Sequence, residues 1–441
     1  MNDPYDAFVH ATVVARVAVL QRAEPAGPGT SPSLVVSPLE VFKAPNSLPA
    51  TLGVVLSDPD GLCVEGSSCT LFLETVSDEY TEYLRGLGIT SVWGARKLLA
   101  PESALHEIAE GVSTGLVSNL VYSELPESRE AAARWLAAAP MQINLDWLRH
   151  LVEVSSSNPE TIAIAATIEV APIQDVDKLE LLAALEESAS TVQAAASIVL
   201  AQHSVLGFSA IADGLADSGL KRLGALATLP SLPLEEQQET ESLLQPIVEQ
   251  PSDPFLVETL AFSLAAAGSW PGAQQLLLRL AETLDAIGAP APSAALAQSC
   301  GRSPSSQCGV LLTKLAESAP DLHDRAIVWE ALGNLARHPM GADWAASAVD
   351  LPVDASPVVR SRQAEALGYF PSSTTRNSRL LELALDGNDP SATKASFALL
   401  MDCSAASSLP AIVANSESLV ARDLVRRVTK AWAGAGGRTC P

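Results

Sequence analysis

A short motif recurs along most of this chain, and it constrains the fold more than any other feature. Its fullest copy is Asp354-Ala355-Ser356-Pro357-Val358-Val359-Arg360, followed by Ala364, Ala366, Leu367 and Gly368. Each residue type suits a helix start or end. Asp and Ser cap free amides of a first turn, proline fits there because its missing N–H is not needed, and glycine closes a helix. Val358, Ala364 and Leu367 are expected to face neighbouring helices, and Gly368 to end this one. Related starts stand at Ser128, Pro159, Thr191, Gly219, Pro254, Pro320, Pro390 and Ser418. Their spacing is roughly 28–37 residues, with one longer gap that fits a degenerate copy near Pro290. Apolar stretches between them supply second helices: Leu179–Leu185, Phe208–Leu215, Leu243–Val248, Ala273–Leu284 and Leu380–Leu385. A helix pair cannot bury its apolar face alone, whereas stacked pairs share one core. From about Ser128 to Trp432 the pattern predicts an α-α superhelical solenoid of about nine or ten units.

The motif around Pro357 resembles the HEAT repeat signature, in particular the short form of phycobilin-lyase-like HEAT proteins. The resemblance implies a solenoid whose concave surface binds proteins. By analogy with that group it also implies, as an alternative, an accessory or lyase-like factor.

The N-terminal part is different. Phe8–Leu20, Leu34–Phe42, Thr51–Leu56 and Cys69–Glu74 are short, Val-rich or alternating stretches that predict strands, and Ile89–Leu99 holds one more. Helical spacing begins at Pro101. The expected fold class is thus α+β multidomain: a β-rich barrel or sandwich over 1–100, then a helical solenoid over 101–441. The strand order and the Val41-Phe42-Lys43-Ala44 turn resemble the netrin-like, or tissue-inhibitor-of-metalloproteinase-like, family of OB-type barrels. That resemblance implies an OB-like barrel and, as a further alternative, a protease-inhibitor-like barrel on a helical stalk. Inhibitory members use an N-terminal cysteine on a protease zinc. Here the first cysteine is Cys63, so that activity is not carried over.

The six cysteines fall in three sets: Cys63 with Cys69, Cys300 with Cys308, and Cys403 with Cys440. The first two pairs flank short polar segments, which favours disulfide staples over free thiols. The Cys-x2-4-Cys knuckle that zinc usually needs does not occur. Three disulfides imply an oxidising compartment, periplasmic or extracellular. A cytoplasmic protein with reduced thiols is the alternative. Residues 288–309, rich in Pro, Ser and Gly and carrying Cys300 and Cys308, predict an irregular insertion in the array. The tail from Ser418 carries five basic residues against Asp423 alone, and predicts a C-terminal cap with a polar outer face.

Charge and motifs narrow the function. With a net charge of −24 the chain is poorly suited to nucleic-acid phosphates, and no nucleic-acid partner is expected. No apolar run is long enough for an integral membrane segment, and Met1-Asn2-Asp3-Pro4 does not open a signal peptide. The sequence holds no HExxH, no Walker A loop, no Gly-x-Ser-x-Gly elbow and no dinucleotide fingerprint, and its six histidines are scattered. No catalytic residue, cofactor or metal site is expected. The sequence predicts an exported, non-enzymatic scaffold for protein partners. Its candidate contact residues are Trp93 and Trp270, near turns, and Arg422, Arg426 and Arg427 on the cap.

Overall fold

The computed structural model describes residues 4–23, 33–45, 47–56, 66–75, 92–95, 100–251, 253–268, 270–319, 321–339, 341–385, 390–402, 404–414 and 418–433. The chain forms two compact units, Met1–Ala225 and Leu226–Pro441.

The first unit opens with a helix, α1 (Pro4–His10). Five strands follow: β1 (Val13–Ala23), β2 (Ser33–Lys43), β3 (Leu52–Leu56), β4 (Ser68–Thr75) and β5 (Val92–Ala95). They curl into a small barrel in the order β1-β2-β3-β5-β4. Neighbours are antiparallel except β3 and β5, which run parallel. Side chains alternate across a strand, so one face of β1 fills the barrel. Val13, Ala15, Val17 and Val19 meet Leu34, Val36, Leu52, Val54 and Leu73 there. Val14 and Phe72 face the other way and join Phe8, Ala11, Leu105 and Ala109. On its outward face β1 is covered at Val14, while Arg16 is half-buried and Leu20 is exposed further along.

The predicted strand from Phe8 begins later than expected. Phe8–His10 end α1 instead. Asp6 and His10 approach to 3.1 Å one turn apart, and Lys43 donates to the Phe8 and Val9 carbonyls at 2.9 and 2.8 Å, closing the helix. The barrel shares its outer apolar cluster with α2 (Glu102–Thr114), and Thr70 donates to Glu102 at 2.6 Å. The change at residue 100 is therefore one of secondary structure, while the first compact unit runs on to Ala225.

The rest of that unit is helical: α3 (Val117–Val121), α4 (Pro126–Ala138), α5 (Leu145–Val154), α6 (Asn158–Val170), α7 (Asp175–Glu186), α8 (Val192–Leu206), α9 (Phe208–Ala216) and the first part of α10 (Gly219–Thr228). α4 packs on α6, and α6 on α8, while α7 and α9 lie against α8. The second unit continues with α11 (Leu234–Glu239), α12 (Glu241–Glu249), α13 (Pro254–Ala266), α14 (Pro271–Ala286), α15 (Ser293–Arg302), α16 (Ser306–Ser318) and α17 (Leu322–Arg337). It ends with α18 (Gly341–Trp344), α19 (Pro357–Tyr369), α20 (Thr374–Leu385), α21 (Pro390–Met401), α22 (Ala405–Ile412) and α23 (Leu419–Ala433). α13, α15, α17, α19 and α21 pack in succession, each on the next but one along the chain. All nine motif positions fall within two residues of a helix start.

Small residues let these helices approach. A Cβ on Gly224 would meet the Ala195 backbone at 2.7 Å, and one on Gly333 the Ala366 Cα at 3.0 Å. Polar links about one repeat apart tie successive starts together. Arg129 donates to Glu160 at 2.6 Å and to the Ser123 carbonyl at 2.9 Å. Asn158 and Ser190 exchange bonds of 2.9 and 3.0 Å. Arg325 donates to Asp354 at 3.0 Å and to the Ala319 carbonyl at 2.8 Å.

Three details of the fullest motif differ from expectation. Asp354 caps no helix amide. Its second oxygen pairs with Arg325, and its first accepts from the Ser356 amide at 2.8 Å, rigidifying the turn. Val358 is 63% exposed while Val359 is buried, because Val358 falls on the outer face of α19 with Arg362 and Tyr369, and Val359 shares the inner face with Gln363, Ala364, Ala366 and Leu367. Gly368 is the next-to-last residue of α19 and takes no left-handed cap conformation, and a Cβ there would stand 3.3 Å from that of Ala398. The 288–309 segment is not an irregular insertion either. Pro290 and Pro292 precede α15 and Pro304 follows it, and the Ala, Leu and Gln residues between them form that helix, which stacks between α13 and α17.

Candidate functional site

A well-lined concavity lies in the second unit, where α19 and α21 meet. It is an open cleft of about 740 Å³, lined by Tyr369, Phe397 and Met401 with Glu365, Lys394 and Arg376 among the polar groups. Phe397 is 63% and Met401 65% exposed, and Tyr369 is 44% exposed. Large apolar side chains grouped this way on a surface differ from isolated ones, which need no explanation. The helices that carry them are held close by Gly368 against Ala398.

Arg376 forms the floor. Its side chain is buried and donates to the Leu367 carbonyl at 2.8 Å and the Gly368 carbonyl at 3.1 Å. These are C-terminal carbonyls of α19, which a cation satisfies well. The same guanidinium is paired with Asp402, just past α21, so one residue of α20 joins three elements. Burial alone would raise the Asp402 carboxyl. Hydrogen bonds from Ser404 and Ser372 and the charge of Arg376 outweigh it and hold the group below its ordinary value.

A charge cluster adjoins the cleft and shares Glu365 and Tyr369 with it. Lys394 donates to Glu365 at 2.7 Å. Arg362 stands 3.7 Å from Glu365 and 3.4 Å from Glu330, and Arg337 stands 3.9 Å from Glu365. The Lys394 hydrogen bond, aided by the charges of Lys394, Arg362 and Arg337 against partial burial, keeps the Glu365 carboxyl below its ordinary value. The Arg337 guanidinium lies over the Tyr369 ring, 3.8 Å from its centroid.

The contact residues expected from sequence lie elsewhere. Trp270 is 2% exposed and is no surface anchor: Gly272 leaves room for its indole, whose Nε1 would sit 2.4 Å from a Cβ there. Trp93 lies in β5, but its side chain is outside the described residues, as is that of Trp432. Arg422, Arg426 and Arg427 are exposed on α23, whose Leu424, Val425 and Val428 are buried. Arg426 and Arg427 both bind Asp423, at 2.5 and 2.8 Å. Cys300 and Cys308 are joined by a disulfide, buried between α15 and α16. Cys69 is buried and disulfide-bonded. Cys63, Cys403 and Cys440 lie outside the described residues.

None of the cleft residues carries a sequence signal of its own. Phe397 belongs to a motif copy and Tyr369 closes another, but helical periodicity alone does not say which large side chains stay exposed. Among the described residues, no group of three or more His, Cys, Asp or Glu side chains is placed to hold a metal ion, and no helix is long and apolar enough to cross a membrane. Comparison with models of known protein families gives no match, and neither does comparison with curated protein sequences.

Proposed function

We propose that the protein is a non-enzymatic binding scaffold that holds a partner protein in the cleft between α19 and α21. One observation carries this reading: Tyr369, Phe397 and Met401 are exposed together over a concavity floored by the buried, hydrogen-bonded Arg376. Pockets of several hundred Å³ with apolar walls and a few fixed polar groups accept side chains of a ligand. The helical array is proposed to be of the HEAT type, supported by the coincidence of motif and helix start and by the packing of alternate helices. The barrel is proposed to be OB-like, of the netrin kind, supported by its strand count and curl. Export to an oxidising compartment is supported by the buried Cys300–Cys308 bridge.

The test is an unbiased peptide-display selection against the full chain, followed by titration of the enriched peptides against Phe397→Asp. Phe397 is exposed, so the variant should keep the wild-type circular dichroism. Binding is expected to weaken by about tenfold or more, the usual loss at an apolar anchor. If no enriched peptide depends on Phe397, the cleft is not the binding site.

A further inference from the structure

We infer that the occupant of the cleft is a protein segment in which an apolar side chain is flanked by carboxylates. This deepens the binding proposal and rests on it. Lys394 and Glu365 line the cleft, and Arg337, Arg362 and Glu330 stand in an adjoining small pocket that shares Glu365 and Tyr369 with it, so three cations meet two carboxylates there. Lys394 is committed to Glu365 at 2.7 Å, and Arg362 bridges both acids. Arg337 is the surplus charge. Among the described residues its hydrogen bonding amounts to a 3.4 Å contact with Asn334, and its 3.9 Å approach to Glu365 is too long for a hydrogen bond.

Arg337 lies over Tyr369, 3.8 Å from the ring centroid, and is about half exposed. A guanidinium over a ring keeps its N–H fork directed outward in its own plane, and that fork matches a carboxylate. Tyr369 also lines the cleft beside Phe397 and Met401. An apolar side chain seated there brings its neighbours toward Arg337. A basic neighbour would meet Arg337 and Lys394 instead, and like charges at contact reject a wrong partner. The net charge of −24 does not decide the matter, since exposed charges are screened beyond about 8 Å at physiological salt, whereas the fork acts at contact.

The test uses short fluorescein-labelled peptides with a central Phe-Leu pair flanked on both sides by glutamate, lysine or serine. They are titrated against the full chain by anisotropy at about 0.15 M salt. The glutamate peptide is expected to bind about tenfold tighter than the lysine peptide. Arg337→Gln should remove that preference, and Arg337→Glu should reverse it, with the serine peptide little changed in both. Equal affinities, an order that survives Arg337→Glu, or no binding by any of the three overturns the inference. The Phe397→Asp selection decides separately whether the cleft binds protein at all.

Discussion

Arg129 and Glu160 show what one residue pair does in this chain. Their side chains are 6% and 0% exposed and 2.6 Å apart. Glu160 also accepts from the Ser156 amide at 2.9 Å, so most lone pairs and donors of the pair are used. Two buried ions that satisfy each other contribute little net stability, but removing one leaves an unmatched buried charge. Glu160→Gln should therefore destabilise by about 3 kcal/mol, measured by urea unfolding, while Arg129→Met with Glu160→Leu should recover much of the loss. A single variant no worse than the double would show that the pair is not effectively buried. Neither residue stands out in the sequence. Glu160 follows Asn158-Pro159 as an ordinary first-turn acid, and only the stacking of α4 on α6 turns it into a buried partner. Asp354 behaves in the same way, since its type suggests a cap and its neighbours make it an ion-pair partner.

At the scale of elements, helix starts and second helices are legible because their signals are local: proline, a capping side chain and apolar spacing. The Gly288–Gly309 segment reads as irregular because it is rich in proline, serine and glycine, yet Pro290 and Pro292 lie ahead of α15 and leave its interior free. The Cys300–Cys308 bridge closes a short turn between α15 and α16. Replacing both cysteines by serine should cost about 2–3 kcal/mol if loop-closure entropy governs the effect. Chemical unfolding of the oxidised protein against the double variant measures it. A loss near zero would mean that helix packing alone orders the turn. Close approach is also legible in kind, from the abundance of Ala, but which glycines serve it is not. Gly368 reads as a stop signal; it stands one residue before the end of α19 and also makes a helix contact.

Over the whole molecule, charge acts at the longest range. A net −24 opposes compactness by self-repulsion, so sodium chloride at pH 7 should raise the unfolding midpoint. A midpoint that falls with salt would place the weight on attractive pairs instead. Acid acts in the opposite sense on the cleft. Glu365 and Asp402 are held below their ordinary values of 4.5 and 3.8. A depressed carboxyl supplies stability that is present above its ordinary value and lost as pH falls through the lowered one. Stability should thus drop below about pH 4, and Glu365→Gln with Asp402→Asn should flatten that drop in an acid titration followed by circular dichroism.

The sequence by itself determined the helix starts at the nine repeat motifs, the change from strand to helix near residue 100, the pairing of Cys300 with Cys308 and the charge of the surface. These depend on residues close in the chain. Only the tertiary structure decided which large side chains stay exposed. Trp270 is covered because Gly272 makes room for it, while Tyr369, Phe397 and Met401 remain open where α19 and α21 meet. The cleft belongs to that second class. It arises from the packing of helices about one repeat apart, and no short stretch of sequence encodes which faces such packing leaves bare.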